Sequence, residues 1–174
     1  MHRALFLDRD GVINVEKDYL YKIEDFEFIE GIFELSLYYQ ALGYKIFVVT
    51  NQSGISRNYY TEEDFSKLSL WMLGEFRNKG IEITQIYHCP HHEKYFGECE
   101  CRKPKPGMLF QAAKDYNIDL KNSVLVGDKE RDIEAALNAG IVETYLFDES
   151  NSVKSSKATK IVHCLKEIID ADFK

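Results

Sequence analysis

The sequence predicts an α/β fold, a three-layer sandwich with a mostly parallel central sheet. Two observations predict it. Short, uniformly apolar runs recur along the chain, and segments with a helical spacing of apolar residues separate them. The five apolar runs stand at residues 4–7, 45–50, 83–88, 123–128 and 143–147. Strands of this kind that alternate with helices are typical of a parallel sheet covered on both faces.

Four helices are predicted between the strands, at residues 31–44, 61–80, 106–118 and 129–140. The second has the clearest boundaries, because Thr61 is suited to cap its start and Gly80 to end it. The polar residues 151–160 are expected to form a surface connection. Residues 160–173 are predicted to form a short strand and a terminal helix at the edge of the sheet.

The length and charge of the chain limit its function. A chain of 174 residues is long enough to bury a sizeable core, so we expect a single domain over residues 1–174. The net charge of −7 argues against binding to nucleic acids or to anionic membranes. No apolar run is long enough to span a bilayer, and no signal peptide is recognisable. We therefore expect a cytoplasmic protein without nucleic-acid or membrane partners.

Carboxylates and hydroxyl or amide groups follow three of the predicted strands. Asp8 and Asp10 follow the first, "TNQSG" (50–54) follows the second, and Asp128 follows the fourth. Parallel sheets bind ligands at the carboxyl ends of their strands, where these residues are expected to meet. A polar turn after a buried strand is the plain alternative. However, two aspartates so close together are costly to bury unless a cation compensates them.

The chemistry that suits this set is phosphoryl transfer. Asp8, Asp10 and Asp128 can hold a hard divalent cation that prefers oxygen ligands, of which Mg²⁺ is favoured. The alternation of a strand predicts that Asp8 and Asp10 share one side and that Arg9 points away. One carboxylate would attack phosphorus, and the other would act as general acid and then as general base.

Two further residues would complete such a site. Thr50 ends the second strand, and Lys103 lies in the basic segment "RKPKPGM" (102–108), which leads towards the same edge of the sheet. A hydroxyl and an ammonium placed there would hold the phosphoryl oxygens, on which charge resides in the transition state.

The segment "CPHHEKYFGECEC" (89–101) has the spacing of a metal site. Cys89, His91, Cys99 and Cys101 offer three thiolates and one imidazole, a closed tetrahedral set for structural Zn²⁺. By spacing His91 pairs naturally with Cys89, and His92 is the alternative. Because this segment leads directly into the basic segment, zinc would have a positional role and would hold the basic residues against the site.

The segments "DRDGVIN", "VVTNQSG", "RKPKPGM" and "VGDKERD" resemble the four signature motifs of the haloacid dehalogenase (HAD) superfamily. The resemblance implies a Rossmann-like core in which Asp8 is the nucleophile and Asp10 is the general acid and base. It also implies that the main-chain carbonyl of Asp10 binds the metal. The other roles that it implies are phosphate binding by Thr50 and Lys103, metal binding by Asp128, and orientation of the metal shell or of a water by Asp132.

Two details refine this resemblance. An acid two residues after the nucleophile, here Asp10, marks the phosphatases of the superfamily and not its dehalogenases. The short spacings between the motifs leave no room for a cap domain, so the site is expected to be open.

The Cys-rich segment narrows the resemblance to two families of phosphatases, one for histidinol phosphate and one for D-glycero-D-manno-heptose 1,7-bisphosphate. "TNQSGI" and "RKPKPGM" resemble the heptose family, in which removal of the 7-phosphate serves the synthesis of nucleotide-activated heptose for lipopolysaccharide and other surface glycans. The resemblance also favours His91 over His92 as the zinc ligand. The segment between His91 and Cys99 is shorter than in many heptose phosphatases.

A bisphosphate needs a second anion site, and Arg102 is the candidate because a guanidinium fork suits phosphate oxygens. Further substrate contacts are expected from Asn51, Gln52 and Ser53 and from Glu16, Asp18 and Tyr19. Two other functions stay open: hydrolysis of histidinol phosphate and, from another class, a non-catalytic zinc-stabilised binding module. We expect a monomer that uses Mg²⁺ and Zn²⁺ and acts on a small sugar phosphate.

Overall fold

The computed structural model describes residues 1–171 and contains one six-stranded sheet. The strands are β1 (Ala4–Leu7), β2 (Lys45–Asn51), β3 (Ile83–Cys89), β4 (Val124–Gly127), β5 (Glu143–Phe147) and β6 (Lys160–Val162). Their order in the sheet is β3-β2-β1-β4-β5-β6, and each pair of neighbours is parallel. The first strand of the chain therefore lies inside the sheet, where Leu5 pairs with Ile46 of β2 and with Val124 of β4.

The helices pack on both faces of the sheet. They are α1 (Ile32–Ala41), α2 (Glu62–Asn78), α3 (Glu93–Phe96), α4 (Gly107–Tyr116), α5 (Glu130–Ala139) and α6 (Lys166–Ala171). Because neighbouring side chains of a strand point to opposite faces, β1 feeds two apolar clusters. Leu5 and Leu7 pack with α1, α2 and α6, whereas Ala4 and Phe6 pack with α4 and α5. The predicted three-layer sandwich with a parallel sheet is confirmed.

The boundaries of α2 follow from its sequence. The hydroxyl of Thr61 accepts a hydrogen bond from the backbone N–H of Asp64 at 3.1 Å, and the carboxylate of Asp64 accepts one from the N–H of Thr61 at 2.9 Å. This reciprocal pair is a capping box, which satisfies donors that a helix start leaves free. The helix ends at Asn78, and Gly80 turns the chain with a φ of +78°.

Two segments differ from the prediction in detail. The Cys-rich segment contains a short helix, α3, which the sequence pattern does not reveal because it spans a single turn. The terminal strand and helix are present as β6 and α6, and residues 172 and 173 of the predicted helix lie outside the described residues.

The segments that leave the carboxyl ends of the strands position the site. Residues 8–31 connect β1 to α1, residues 52–61 connect β2 to α2, and residues 90–106 connect β3 to α4. None of them inserts a domain over the edge of the sheet, as the spacing of the motifs predicts. Within residues 1–171, no helix has the length and apolar character needed to cross a membrane.

Candidate active site

A cavity of about 330 Å³ opens at the carboxyl ends of β1 and β2. All of the residues predicted to be catalytic or to bind substrate line it: Asp8, Asp10, Glu16, Asp18, Tyr19, Thr50, Asn51, Gln52, Ser53, Arg102 and Lys103. Lys103 arrives from a distant part of the sequence, as the parallel topology predicts. The cavity is also lined by Arg57 and Tyr60, which belong to none of the sequence motifs.

Lys103 is a buried cation at the carboxylates of the site. Its Nζ lies 2.9 Å from Oδ1 of Asp8, 2.7 Å from Oδ1 of Asp132 and 2.8 Å from the carbonyl oxygen of Val49. Burial favours the neutral amine, but the negative charges of Asp132 and Asp8 outweigh it and raise the pKa of Lys103. The lysine is therefore a permanent positive charge, held in place from three sides.

Asp8 is buried among other acids. Burial raises its pKa well above the usual value, the charge of Asp132 raises it further, and Lys103 opposes both. One carboxylate oxygen each of Asp8, Asp128 and Asp132 lies within 4.8 Å of the others. Gly11, with a φ of +90°, lies against Asp128 so closely that a Cβ there would overlap the carboxylate. The backbone of Gly11 therefore packs directly against the acidic cluster.

The acidic cluster fits a divalent cation. Asp132 is already engaged, because it pairs with Lys103 and its Oδ2 accepts the backbone N–H groups of Asp128 and Lys129 at 3.2 and 3.0 Å. Lys103 and Lys129, whose Nζ lies 3.6 Å from Oδ2 of Asp128, are two cations against the three carboxylates, so the cluster keeps surplus negative charge. A set of oxygen ligands with surplus charge matches the preferences of Mg²⁺.

Asp10 is held by three side chains. Its carboxylate accepts hydrogen bonds from Nη2 of Arg9 at 3.0 and 3.1 Å, from Nδ2 of Asn14 at 3.0 Å and from Nε2 of Gln52 at 3.0 Å. The prediction that Arg9 points away from Asp10 is wrong. The strand ends at Leu7, so alternation no longer governs the residues after it, and the buried Arg9 folds back onto its neighbour.

Gln52 connects Asp10 to the end of β2. Its side-chain amide donates to Oγ1 of Thr50 at 2.8 Å as well as to Asp10, and its carbonyl oxygen accepts the hydroxyl of Tyr60. The ring of Tyr60 lies directly over Gly54, where a Cβ would overlap it. No sequence pattern points to Tyr60, because a tyrosine in a loop after a strand has no characteristic spacing.

Asn51 joins two of the segments that form the cavity. Its Oδ1 accepts the backbone N–H of Lys103 at 3.0 Å, and its Nδ2 donates to the carbonyl oxygen of Lys103 at 3.2 Å. Both ends of this amide are therefore used to hold the backbone that carries the lysine.

The predicted sugar-binding segment forms one wall of the cavity. Glu16, Asp18 and Tyr19 line it, and Tyr19 has a φ of +56°, which is uncommon for a residue with a side chain. Desolvation raises the pKa of Glu16 to about 7, and the negative charges of Asp10 and Asp128 act in the same direction. An anionic group at this wall would therefore meet an acid that is readily protonated.

The Cys-rich segment forms a compact cluster of metal-binding atoms. Sγ of Cys89 lies 3.7 Å from that of Cys99 and 2.8 Å from that of Cys101, and Cys99 and Cys101 are 3.6 Å apart. Nδ1 of His91 lies 3.6 Å from Cys89 and 3.2 Å from Cys101. Ligands on a tetrahedral zinc with Zn–S bonds of about 2.3 Å are separated by about 3.8 Å. The separations approach this value except for the shorter one between Cys89 and Cys101, and three thiolates with one imidazole are a donor set that fits zinc.

The cluster contains His91 and leaves out His92. Nε2 of His92 lies instead 3.0 Å from Nη2 of Arg57, and its Nδ1 accepts the backbone N–H of Lys94 at the start of α3. Arg102 follows the last cysteine directly, and its Nη1 donates to the carbonyl oxygen of His91 at 3.3 Å. The arginine is therefore tied to the cysteine cluster at both ends.

Comparisons with known proteins show relatives that match most of the chain. The family model described as HAD-hydrolase-like matches residues 100–166. A protein of Campylobacter jejuni named D-glycero-alpha-D-manno-heptose-1,7-bisphosphate 7-phosphatase is 52% identical over 168 residues, which cover 97% of this chain and 94% of that protein. A protein of Pasteurella multocida named as the 7-phosphatase of the beta anomer is 41% identical over 174 residues, covering 98% and 95% of the two chains.

Solved structures show the same fold. A HAD-like phosphatase from Mesorhizobium loti has a TM-score of 0.87 at 30% identity and covers 98% of this chain and 85% of its own. The D,D-heptose 1,7-bisphosphate phosphatase from B. bronchiseptica, complexed with magnesium and phosphate, has a TM-score of 0.83 at 25% identity and covers 98% of each chain. The chain thus belongs to the heptose 1,7-bisphosphate 7-phosphatase family of HAD-like hydrolases.

Proposed function

We propose that this chain is a Mg²⁺-dependent phosphatase that removes the 7-phosphate from D-glycero-D-manno-heptose 1,7-bisphosphate, in the synthesis of nucleotide-activated heptose. The observation that carries the proposal is the position of Lys103. Its ammonium lies 2.9 Å from Asp8 and 2.7 Å from Asp132, at the floor of a cavity that Asp10 also lines. A phosphoryl group there would meet a carboxylate nucleophile, a cation and a second carboxylate together.

Asp8 would act as the nucleophile. One of its carboxylate oxygens forms a bond to phosphorus, and the bond from phosphorus to the oxygen of C7 breaks, which leaves an aspartyl-phosphate on the enzyme. Thr50, at the end of β2, and Lys103 bind the equatorial oxygens of the phosphoryl group. Asp10 gives a proton to the departing alkoxide, which leaves as the C7 hydroxyl.

The same carboxylate would serve the second step. After the sugar leaves, Asp10 accepts a proton from a water, the oxygen of the water bonds to phosphorus, and the bond to Asp8 breaks to release inorganic phosphate. The donors on Asp10 from Arg9, Asn14 and Gln52 keep its carboxylate in one orientation through both steps. Asn51, which clamps the backbone of Lys103, supports the geometry indirectly.

Two metals would complete the enzyme. Asp8, Asp128 and the main-chain carbonyl of Asp10 would hold the magnesium ion. When bound, it supplies positive charge that offsets both the clustered acids and the phosphoryl oxygens. Cys89, His91, Cys99 and Cys101 would hold a structural zinc, which fixes the position of the segment that follows. We propose that Asp132 orients Lys103 and the metal site without being a ligand.

The remaining residues would bind the sugar and its second phosphate. Arg102 is proposed to bind the phosphate on C1, with help from Ser53. Glu16, Asp18 and Tyr19 are proposed to contact the sugar hydroxyls. We further propose that the enzyme is a single-domain monomer, which suits its open site, and that it works in the cytoplasm, since no cysteine within residues 1–171 forms a disulfide.

Phosphate release in the presence of Mg²⁺ tests this function. Both anomers of heptose 1,7-bisphosphate and histidinol phosphate are compared at matched concentrations, because relatives carry the names of both anomers. We expect a kcat/KM for one heptose anomer at least about a hundredfold above that for histidinol phosphate, on the scale of a lost phosphate contact. Preferential hydrolysis of histidinol phosphate would refute the substrate, and no hydrolysis of any of the three would favour a binding module.

A further inference from the structure

Arg57 occupies a rigid turn next to the residues that end β2. Its backbone N–H donates to the carbonyl oxygen of Ser53 at 3.1 Å, and the N–H of Tyr59 donates to that of Gly54 at 2.9 Å. Asn58, between them, has a φ of +60°, a conformation that asparagine tolerates better than most residues. The turn thus holds Arg57 in a defined place at the cavity wall.

The guanidinium of Arg57 has no anionic partner. Among residues 1–171, no carboxylate oxygen lies within 4.0 Å of it, and its Nε is buried without a hydrogen-bond partner. Nη2 faces Nε2 of His92, but Nδ1 of that ring already accepts the N–H of Lys94. A neutral imidazole has a single acceptor nitrogen, so it cannot accept both hydrogen bonds. The charge of Arg57 is therefore available to an anion.

Aromatic rings hold this charge in position. The guanidinium carbon of Arg57 lies 5.8 Å from the ring centre of Tyr19 and 5.5 Å from that of Tyr95. Tyr19 is in turn packed edge-on against Tyr59, with ring centres 4.7 Å apart. Cation–π contacts of this kind attract the guanidinium without neutralising its hydrogen-bond donors. These contacts keep the guanidinium of Arg57 ordered and leave its N–H groups free to bind an anion.

Arg102 contacts the residue next to His92. It donates to the carbonyl of His91, whereas Arg57 contacts the ring of His92, and both arginines line the cavity. Arg102 likewise has no carboxylate oxygen within 4.0 Å among the described residues. Two guanidiniums without counter-ions that line one cavity, and that contact the neighbouring residues His91 and His92, are costly unless an anion binds to them.

We infer that Arg57 binds the phosphate that is not cleaved, together with Arg102, and thereby sets the preference of the enzyme for bisphosphates over monophosphates. The inference rests on the proposed function, since it assigns a second binding residue to the same substrate. Asp8 and Lys103 receive the phosphate on C7, and the pair of arginines receives the phosphate on C1. Arg57 takes no part in bond breaking.

The test compares two substrates that share the cleaved phosphate, heptose 1,7-bisphosphate and heptose 7-phosphate. We expect Arg57→Gln to lower kcat/KM for the bisphosphate about thirtyfold, mainly through KM, and to leave kcat/KM for the monophosphate within about twofold. Arg57→Lys keeps the positive charge but loses the guanidinium fork. Its kcat/KM for the bisphosphate should lie between those of the wild type and of Arg57→Gln. The matched control is Arg131→Gln, which removes another arginine from the cavity rim and should keep the ratio of the wild type.

Equal losses on both substrates in Arg57→Gln would overturn the inference and leave Arg57 a structural residue, as would no loss on either. Calorimetric titration with heptose 1-phosphate, which carries only the uncleaved phosphate, separates the inference from the proposed function. If the wild type binds heptose 1-phosphate and Arg57→Gln binds it at least tenfold more weakly, the inference stands. It stands even if the enzyme does not hydrolyse heptose 1,7-bisphosphate. Should Arg57→Gln not fold, the same titration with Arg57→Lys decides, and affinity equal to the wild type would refute the inference.

Discussion

Nζ of Lys103 lies 2.9 Å from Oδ1 of Asp8, although 95 positions separate the two residues in the chain. Both side chains are almost completely buried, with exposed fractions of 3% and 10%. A buried ion pair of this kind is maintained only if both partners stay, because either one alone would be an unpaired buried charge. The pair therefore links the stability of the fold to the chemistry of the site.

Replacing Lys103 by methionine tests this link. The change leaves Asp8 and Asp132 without their shared cation, so we expect the free energy of unfolding to fall by about 3 to 5 kcal/mol and activity to fall at least a hundredfold. Urea denaturation and phosphate release measure the two effects. Lys105→Met is the matched control, since the side chain of Lys105 is 41% exposed and pairs with the exposed Glu100 at 3.3 Å. Equal effects of the two substitutions would contradict the prediction.

Substitutions of Asp8 and of Asp10 should impair different steps of the reaction. In Asp10→Asn, the general base of the second step is lost, but Asp8 still attacks a substrate with a good leaving group. With para-nitrophenyl phosphate we therefore expect a burst of nitrophenol close to one equivalent, followed by turnover about a hundredfold slower than in the wild type. Asp8→Asn should show neither the burst nor the slow turnover. Rapid-mixing absorbance measures the burst, and its absence in Asp10→Asn would contradict these roles.

Tyr60→Phe tests the support of Asp10 by Gln52. Loss of the hydroxyl leaves the carbonyl oxygen of Gln52 without its donor, so the amide that binds Asp10 is less well oriented. A hydrogen bond of this kind is worth about 1 to 1.5 kcal/mol, so we expect kcat to fall about tenfold with little change in KM. Tyr59→Phe removes the neighbouring, exposed hydroxyl and should leave kcat unchanged. A rise in KM alone would instead indicate a substrate contact.

Cys99→Ser tests the metal site of the Cys-rich segment. We expect bound zinc, measured by atomic emission, to fall from one equivalent towards none, and residues 90–101 to become accessible to proteases. Since Arg102 and Lys103 follow this segment directly, kcat/KM should fall about tenfold or more through misplacement of these side chains. Cys164→Ser replaces an exposed cysteine outside the cluster and is the control. Full activity in zinc-free Cys99→Ser would show that the metal does not position the site.

The sequence predicts those parts of the site that depend on strand ends and short spacings. Asp8, Thr50 and Asp128 follow apolar runs, and the parallel topology brings them together whatever the details of the loops. The cysteine cluster is equally visible, because its ligands lie within thirteen residues, from Cys89 to Cys101. The choice between His91 and His92 needs coordinates, since a one-residue difference depends on the path of the loop.

Residues that act through tertiary contacts are hidden from such reasoning. Arg57 and Tyr60 lie in a loop whose turn is set by backbone hydrogen bonds and by close packing on Gly54. The periodicity of apolar residues in the sequence does not predict such contacts. The expectation that Arg9 faces away extends strand alternation two residues beyond Leu7, the last residue of β1. Asn51 carries an amide that could bind a substrate, but both ends of this amide form hydrogen bonds to the backbone of Lys103.

The place of β1 between β2 and β4 has a consequence for how the chain is made. During synthesis β1 and β2 emerge early and can pair at once, whereas β4 begins only at Val124. Until then one side of β1 is an unpaired apolar edge, which is the kind of surface that aggregates. Asp128 and Asp132 arrive with the same strand and helix that cover this edge. A nascent chain therefore stays inactive and prone to aggregation until β4 docks, because that step both covers the open edge of β1 and brings Asp128 to the site.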